Sequence, residues 1–293
     1  MKAPAIAAPV GPRGRLPIDF WSVVMALSLL VVALVLVWPI LQVLLLGFFD
    51  PESHQVSFGG YVKLLTHPYY LGALWNTVLV GVGGMVGACL LGVPLAYCMA
   101  RYVVKGRGVI TTLAVMALVS PPFIGAYSWI VVLGNSGWLT LQMKSLGVTL
   151  PTIYGMPGII LVFSLKFFPF VYLMTESALR NINRSFEEAA ENLGCSSRQR
   201  FFKVTLPLVF PATSSGAILC FVLSIADFGT PSIIGRDLRT LSTLAYNQYT
   251  SEMGGTPTMA VSISMLMIVI SMLAVMLQRH LIGKRRYAGS MTN

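Results

Sequence analysis

Six long stretches of this chain are almost free of charge and read as apolar runs, at approximately residues 20–49, 74–100, 109–134, 153–175, 208–234 and 257–282. A helix rises about 1.5 Å per residue, so about 20 apolar residues cross the roughly 30 Å hydrocarbon core of a bilayer. Every stretch meets that length. The strands of membrane barrels are shorter and alternate in polarity, and these runs do not alternate. The pattern therefore predicts an all-α, polytopic membrane protein with six transmembrane helices. The first run is about twice as long as a signal-peptide core, and no small-residue cleavage pattern follows it, so it reads as a span. The polar intervals give the organisation: a tail at 1–19, a membrane domain at 20–283 and a tail at 284–293. Within the membrane domain, a short connection lies at 135–152 and the longest hydrophilic loop at 176–207.

Composition agrees. Of 293 residues 56% are hydrophobic and 10% charged, with mean hydropathy +0.77, where a soluble domain carries roughly 25% charged residues. This apolar content excludes a disordered chain, and four scattered cysteines in a chain of this size exclude a disulfide-stapled domain. The net charge of +10 would suggest nucleic acid in a soluble protein, but its distribution points elsewhere. Lys2, Arg13, Arg15, Arg101, Lys105, Arg107, Arg180, Arg184, Arg198, Arg200, Lys203, Arg279, Lys284, Arg285 and Arg286 fall on one side of the alternating spans. Lys63, Lys144, Arg236 and Arg239 fall on the other, and Lys166 lies inside a span. Cationic loops stay on the cytoplasmic side, so both termini and the 176–207 loop are expected in the cytoplasm. The charge needs no nucleic acid to explain it. Cys89, Cys98 and Cys220 lie in spans and Cys195 in the loop, with no CxxC motif, and His54, His67 and His280 are far apart, so no metal site is expected.

The 176–207 loop reads as two helices with a break. Ser185 suits an N-cap, with Glu188 completing a capping box. Glu187 to Leu193 are helix formers, and Gly194 fits a left-handed C-terminal cap. Ser196 or Ser197 can cap a second helix through Arg198–Val204, and Pro207 is expected to stop it and turn the chain into the membrane. The spacing Glu188-Ala189-Ala190, then Gly194, then Val204, Leu206 and Pro207 resembles the EAA loop of binding-protein-dependent ABC importer permeases, with Val204 where that family usually has Ile. The likeness extends over most of 74–281.

This resemblance implies the type I ABC importer permease fold, with the first span as an extra preceding helix. It implies that Glu188, Ala189, Ala190, Gly194, Val204, Leu206 and Pro207 form a coupling loop that docks on a cytoplasmic ATPase. It also implies two such ATPases, a second permease subunit, a periplasmic substrate-binding protein and a place in the bacterial inner membrane. Ferric permeases of the family often carry two cores in one chain. This chain has one, so the second core is expected from another subunit, a heterodimer being favoured over a homodimer. The sequence has no GxxxxGK[ST] phosphate loop, so ATP and Mg are expected on the ATPase, and no cofactor on this chain. Phe201 or Phe202 could fill an apolar pocket of the partner or pack on the chain's own spans.

Charges inside the hydrocarbon region are costly and mark function. Lys166 lies mid-way along the fourth run and Asp227 near the outer end of the fifth. Asp227-Phe-Gly-Thr-Pro-Ser232 and Ser120-Pro-Pro both interrupt apolar runs, and a kink is expected at the two prolines. Tyr127, Ser128, Lys166 and Asp227 are the candidate pathway residues, against snorkelling or helix pairing for Lys166 and a helix-end cap for Asp227. Asn76-Thr77 reads as an N-cap of the second span. The stretch from Asp227, with Leu241-Ser242-Thr243 and Tyr246, is similar to the ferric-iron, polyamine and 2-aminoethylphosphonate branch, which implies a solute of one of those types. An intramembrane enzyme would need a Ser/His pair, paired aspartates or HExxH at depth, and none is present. An ion-coupled carrier without an ATPase is the alternative. It would be helped by several intramembrane carboxylates, where Asp227 is nearly alone.

Overall fold

The computed structural model describes residues 20–48, 56, 58–183, 185–251 and 256–290, with backbone alone for 43 and 284–290. The expected tail at 1–19 with Lys2, Arg13 and Arg15, as well as His54 and Arg184, lies outside the described residues, as do the side chains of Lys284, Arg285 and Arg286. The chain divides into two compact units, Met1–Leu46 and Gly47–Asn293. The first holds one helix, α1 (Phe20–Leu46), 27 residues long, which is about 40 Å of rise. A π-turn interrupts it at Ala33–Val37. Ser28 returns its hydroxyl to the Val24 carbonyl at 2.8 Å, which satisfies a polar group on an otherwise apolar helix.

The regular elements of the second unit between its described loops are helices. After a short α2 (Gly59–Thr66), the helix α3 (Pro68–Arg101) covers the second run. Then come α4 (Arg107–Val119), α5 (Pro122–Leu133) and α6 (Trp138–Ser145), the last lying within the expected polar connection. α7 (Met156–Asn181) covers the fourth run, α8 (Ser185–Asn192) opens the loop and α9 (Ser197–Ala226) covers the fifth run. Two short helices, α10 (Gly229–Ile234) and α11 (Leu241–Thr250), precede α12 (Pro257–Ser290), whose backbone stays helical into the expected tail.

Five of these helices are long and apolar enough to cross a membrane, and α4 passes the same test only together with α5 and α6 (Pro122–Ser145), to which it is bent by 113° as in a broken span or a re-entrant loop. The expected kink is thus a full break. Its cause is local: proline drives the residue before it out of the helical region, and Ser120 and Pro121 take ψ of 128° and 142°. Neither α4 nor α5, at 13 and 12 residues, reaches across the roughly 30 Å core alone.

α3, α7 and α9 form the centre. Without a hydrophobic drive between helices in lipid, close packing needs small residues at the contact. α3 buries Gly81, Gly84, Ala88, Gly92 and Ala96 in one stripe. A Cβ added at Gly92 would come within 2.9 Å of the Phe168 carbonyl oxygen and 3.0 Å of the Tyr172 nitrogen. On the other flank, a Cβ at Gly216 of α9 would lie 2.8 Å from Val171 Cα. Backbone meets backbone on both sides of one turn of α7. Polar groups there are paired: Thr175 with Thr213 at 2.9 Å, Tyr172 with Thr111 at 2.7 Å, and the Cys220 thiol to the Phe167 carbonyl at 3.2 Å. A second apolar cluster joins α2, α3, α11 and α12 through Leu64, Tyr70, Leu241, Leu244 and Ile263.

Asn76 and Thr77 do not cap a helix, because α3 begins two turns earlier behind His67. Asn76 donates to the Arg239 carbonyl at 3.1 Å, and the Thr77 hydroxyl accepts from the Leu241 nitrogen at 2.8 Å. They tie α3 to the start of α11.

Because the Gly92 and Gly216 contacts are backbone to backbone, neither neighbour can move aside. Gly92→Val and Gly216→Val should each destabilise the fold by about 1–3 kcal/mol or more, seen as a lower thermal midpoint in detergent. Gly108, whose Cβ would meet nothing within 4 Å, should take alanine without loss.

Candidate functional site

The loop between α7 and α9 is built as a braced knob. Gly194 has φ +82°, the left-handed conformation that glycine adopts without penalty. The Gly194 nitrogen donates to the Glu191 carbonyl at 2.9 Å and the Cys195 nitrogen to that of Ala190 at 3.0 Å, which is a Schellman cap. Ser196 caps the next helix in a capping box with Gln199. At the start of α8 the expected Ser185 cap is replaced: Asn183 Oδ1 accepts from the Ser185 nitrogen at 3.1 Å, because Ser185 is already the first helical residue.

Pro207 does not stop a helix either. α9 continues from Ser197 to Ala226 through a π-turn at Phe201–Thr205, where the Leu206 nitrogen reaches back to the Phe201 carbonyl. The widened turn relaxes the i→i−4 ladder just ahead of a residue that has no N–H to offer it.

One face of α8 is fastened inward. Arg101 at the end of α3 donates to Glu187 Oε1 through Nη2 at 2.7 Å and Nε at 3.1 Å, and Thr205 donates to the same oxygen at 3.0 Å. Arg200 pairs with Glu191, and Ala190 is 7% exposed. Nearby, Glu176 at the end of α7 takes Arg107 of α4 and Arg180. The opposite face is bare: Phe186, Ala189 and Leu193 follow one helical stripe, Leu193 is 85% exposed, and Glu188 and Phe202 stand beside them. Ala189 and Ala190 therefore lie on different faces, the first exposed and the second buried. Phe201 packs edge-on against Tyr97 of α3 at 5.0 Å, while Phe202 is exposed. Val204 is half-buried, Leu206 packs into the apolar cluster around Tyr172 and Val209, and Pro207 is exposed.

At the other end of α9 the two intramembrane charges meet. Lys166 Nζ donates to Asp227 Oδ2 at 2.7 Å, with side chains 11% and 4% exposed. Asp227 Oδ1 accepts from the Thr230 nitrogen at 2.8 Å, so Asp227 also fastens the start of α10. Its carbonyl accepts from Ser242 at 3.0 Å. Beside the pair lies a cavity of about 320 Å³ walled by α5, α7 and α10, with Ser128, Trp129, Lys166 and Thr230 among its lining. The structure thus brings Ser128, Lys166 and Asp227 together. Tyr127, one residue along α5, is 59% exposed and off the cavity wall, because neighbours on a helix point about 100° apart.

Sequence reasoning missed the Arg101–Glu187 and Arg107–Glu176–Arg180 pairings. Arg101 and Arg107 carry no sign in sequence beyond their sidedness, since their partners lie 86 and 69 residues away. A second cavity of about 430 Å³ sits just beyond the end of α10, where Arg236 lies over the Tyr154 ring at 3.9 Å. No group of three or more His, Cys, Asp or Glu side chains placed to hold a metal occurs among the described residues.

Breaking one side of the Lys166–Asp227 pair leaves a charge buried alone, which costs about 3–5 kcal/mol, whereas replacing both with apolar residues is often neutral. Lys166→Met and Asp227→Leu should each lower the thermal midpoint, and the double variant should recover most of the loss. Additive losses would mean that the two do not act as a unit.

Among known proteins, the chain is 25% identical over 221 residues to the putative ferric transport system permease protein FbpB 1 of Haemophilus influenzae, covering 74% of this chain and 34% of that one. The chain therefore spans about a third of the length of that relative. It is 27% identical over 251 residues to the putative 2-aminoethylphosphonate transport system permease protein PhnU of Salmonella typhimurium, covering 84% and 87%. A chain of the bacterial alginate ABC transporter, solved in complex with an alginate pentasaccharide-bound periplasmic protein, shares the fold at TM-score 0.70 and 17% identity, covering 89% and 93%. The family profile described as "Binding-protein-dependent transport system inner membrane component" matches residues 92–287, a stretch that takes in the braced loop and the Lys166–Asp227 pair. With its membrane-length helices, this multi-pass inner-membrane chain belongs to the family of binding-protein-dependent transport system inner membrane components.

Proposed function

We propose that the chain is a permease subunit of an ATP-driven ABC importer, moving a small solute handed over by a periplasmic binding protein. Residues 20–283 make the permease domain, flanked by cytoplasmic tails at 1–19 and 284–293, and the lysine and arginine distribution puts the loop in the cytoplasm. The observation that carries this reading is the two-faced α8. Its inner face is locked to α3 and α9 by Glu187, Ala190 and Glu191, and its outer stripe of Phe186, Ala189 and Leu193 is left uncovered. An apolar stripe on a rigid knob, rimmed by the charge of Glu188, suits burial in a protein groove, where a few anchors carry most of the binding.

The partner is then a cytoplasmic ABC ATPase, two copies to an importer, which holds the ATP and Mg. A second permease subunit, a different chain in preference to a copy of this one, completes the pathway. Glu188, Ala189 and Gly194 serve the docking surface, and Ala190, Val204, Leu206 and Pro207 set its shape. The cargo is of the ferric, polyamine or aminoethylphosphonate type suggested by the stretch from Asp227 to Tyr246, and ferric and aminoethylphosphonate transport also stand in the names of relatives. Ser128, Lys166 and Asp227 line or support the pathway, with Tyr127 at its margin.

Two substitutions test the docking surface. Gly194→Val forces a β-branched residue to φ +82°, a strain of about 1–2 kcal/mol that reshapes the loop. Leu193→Glu puts a charge on the exposed stripe without touching the fold. Both should abolish ATPase co-purification and ATP-driven uptake in vesicles while the chain still inserts and folds. Normal uptake by both would refute the docking role.

A further inference from the structure

We infer that the cavity beside the Lys166–Asp227 pair is a solute site for an anionic group, such as a phosphonate, carboxylate or tetrahedral oxyanion, and that it disfavours polyamines and bare cations. The inference rests on the permease reading above and narrows its cargo. The walls supply donors. Lys166 lines the cavity, and of its three ammonium hydrogens one is held by Asp227. Thr230 also lines it, with no exposed surface, and its Oγ1 is buried without a hydrogen-bond partner. An orphan hydroxyl in an apolar surround costs about 1–3 kcal/mol, so a native fold that keeps one leaves room for something to bind it.

Carboxylate is kept back. Asp227 does not line the cavity, and its two oxygens are engaged by Lys166 and by the Thr230 backbone nitrogen. Ser128 lines the wall from α5 and donates its own hydrogen to the Ile124 carbonyl at 2.8 Å, which leaves its oxygen as an acceptor only. A cation entering here meets Lys166 first and finds no free carboxylate. An anion meets an ammonium, and behind the same wall the Thr230 hydroxyl stands buried and unpartnered. The nearby negative charge of Asp227 weakens that anion's hold, which suits a site on a pathway that must release as well as bind.

The experiment uses the full chain with its co-purified partners, titrated with methylphosphonate, molybdate and spermidine by calorimetry. It is run in a phosphate-free maltoside detergent and again in phosphatidylglycerol nanodiscs. Thr230→Val should weaken binding of the anions about tenfold, the worth of one hydrogen bond to a charged group. Asp227→Asn removes the repulsion together with the ion pair, so below its lowered thermal midpoint it should tighten them. Spermidine should bind neither variant nor the parent at this site. Binding of methylphosphonate in detergent and its loss in nanodiscs would identify a lipid headgroup, not the cargo, as the phosphate at the site and would overturn the cargo assignment. Spermidine binding that Asp227→Asn abolishes, or anion binding indifferent to Thr230→Val, would also overturn it. The docking variants Gly194→Val and Leu193→Glu are read by ATPase co-purification and uptake, and the anion site by this titration, so failure of the importer reading and failure of the anion site are separately visible.

Discussion

The molecule depends on one close approach. Around Val171, α7 is flanked by Gly92 of α3 and Gly216 of α9 so tightly that no Cβ fits on either side. In lipid, where apolar side chains gain little from meeting each other, such contact is what holds helices in register. From that turn, α7 carries Lys166 toward one end and Glu176 toward the other. Each is met there by a charge from a different element: Asp227 at the end of α9, and Arg107 at the start of α4. The packing sets where the charges stand, and the charges then fix the ends of helices that the packing alone leaves loose.

The two functional regions share their supports. α9 begins in the braced loop, where Thr205 reaches Glu187, and ends at Asp227. α3 ends at Arg101, which grips the same Glu187. The knob is therefore part of the bundle. Its outer stripe is free and its inner face belongs to α3 and α9, which pack on α7, one wall of the cavity.

Much of this was legible in the sequence because the signals are local or periodic. Five runs became spans, Gly194 took the left-handed cap and Ser196 took the capping box. The Lys166–Asp227 meeting was half legible: each charge stood out as costly in an apolar run, but nothing local says that residues 61 apart touch. The misreadings also have a local cause. Pro207 reads as a stop only if the helix before it is a regular α-helix, and the π-turn at Phe201–Thr205 leaves no mark on the composition. Asn76 reads as a cap only if α3 starts there, and its partner is a carbonyl 163 residues away. The two prolines at 121 and 122 announce a bend but not its size, which depends on the neighbours that receive α5.

The unbroken course of α9 has a geometric consequence. From Thr205 to Asp227 the chain rises about 33 Å at the helical pitch. A rod of that length is a lever, and a tilt of about 5° at the loop end carries the far end sideways by about 3 Å. That equals the whole of the 2.7 Å hydrogen bond between Lys166 and Asp227. Such a tilt parts the ion pair only by also shifting Gly216 on Val171, so the mid-helix contact guards the pair at the far end.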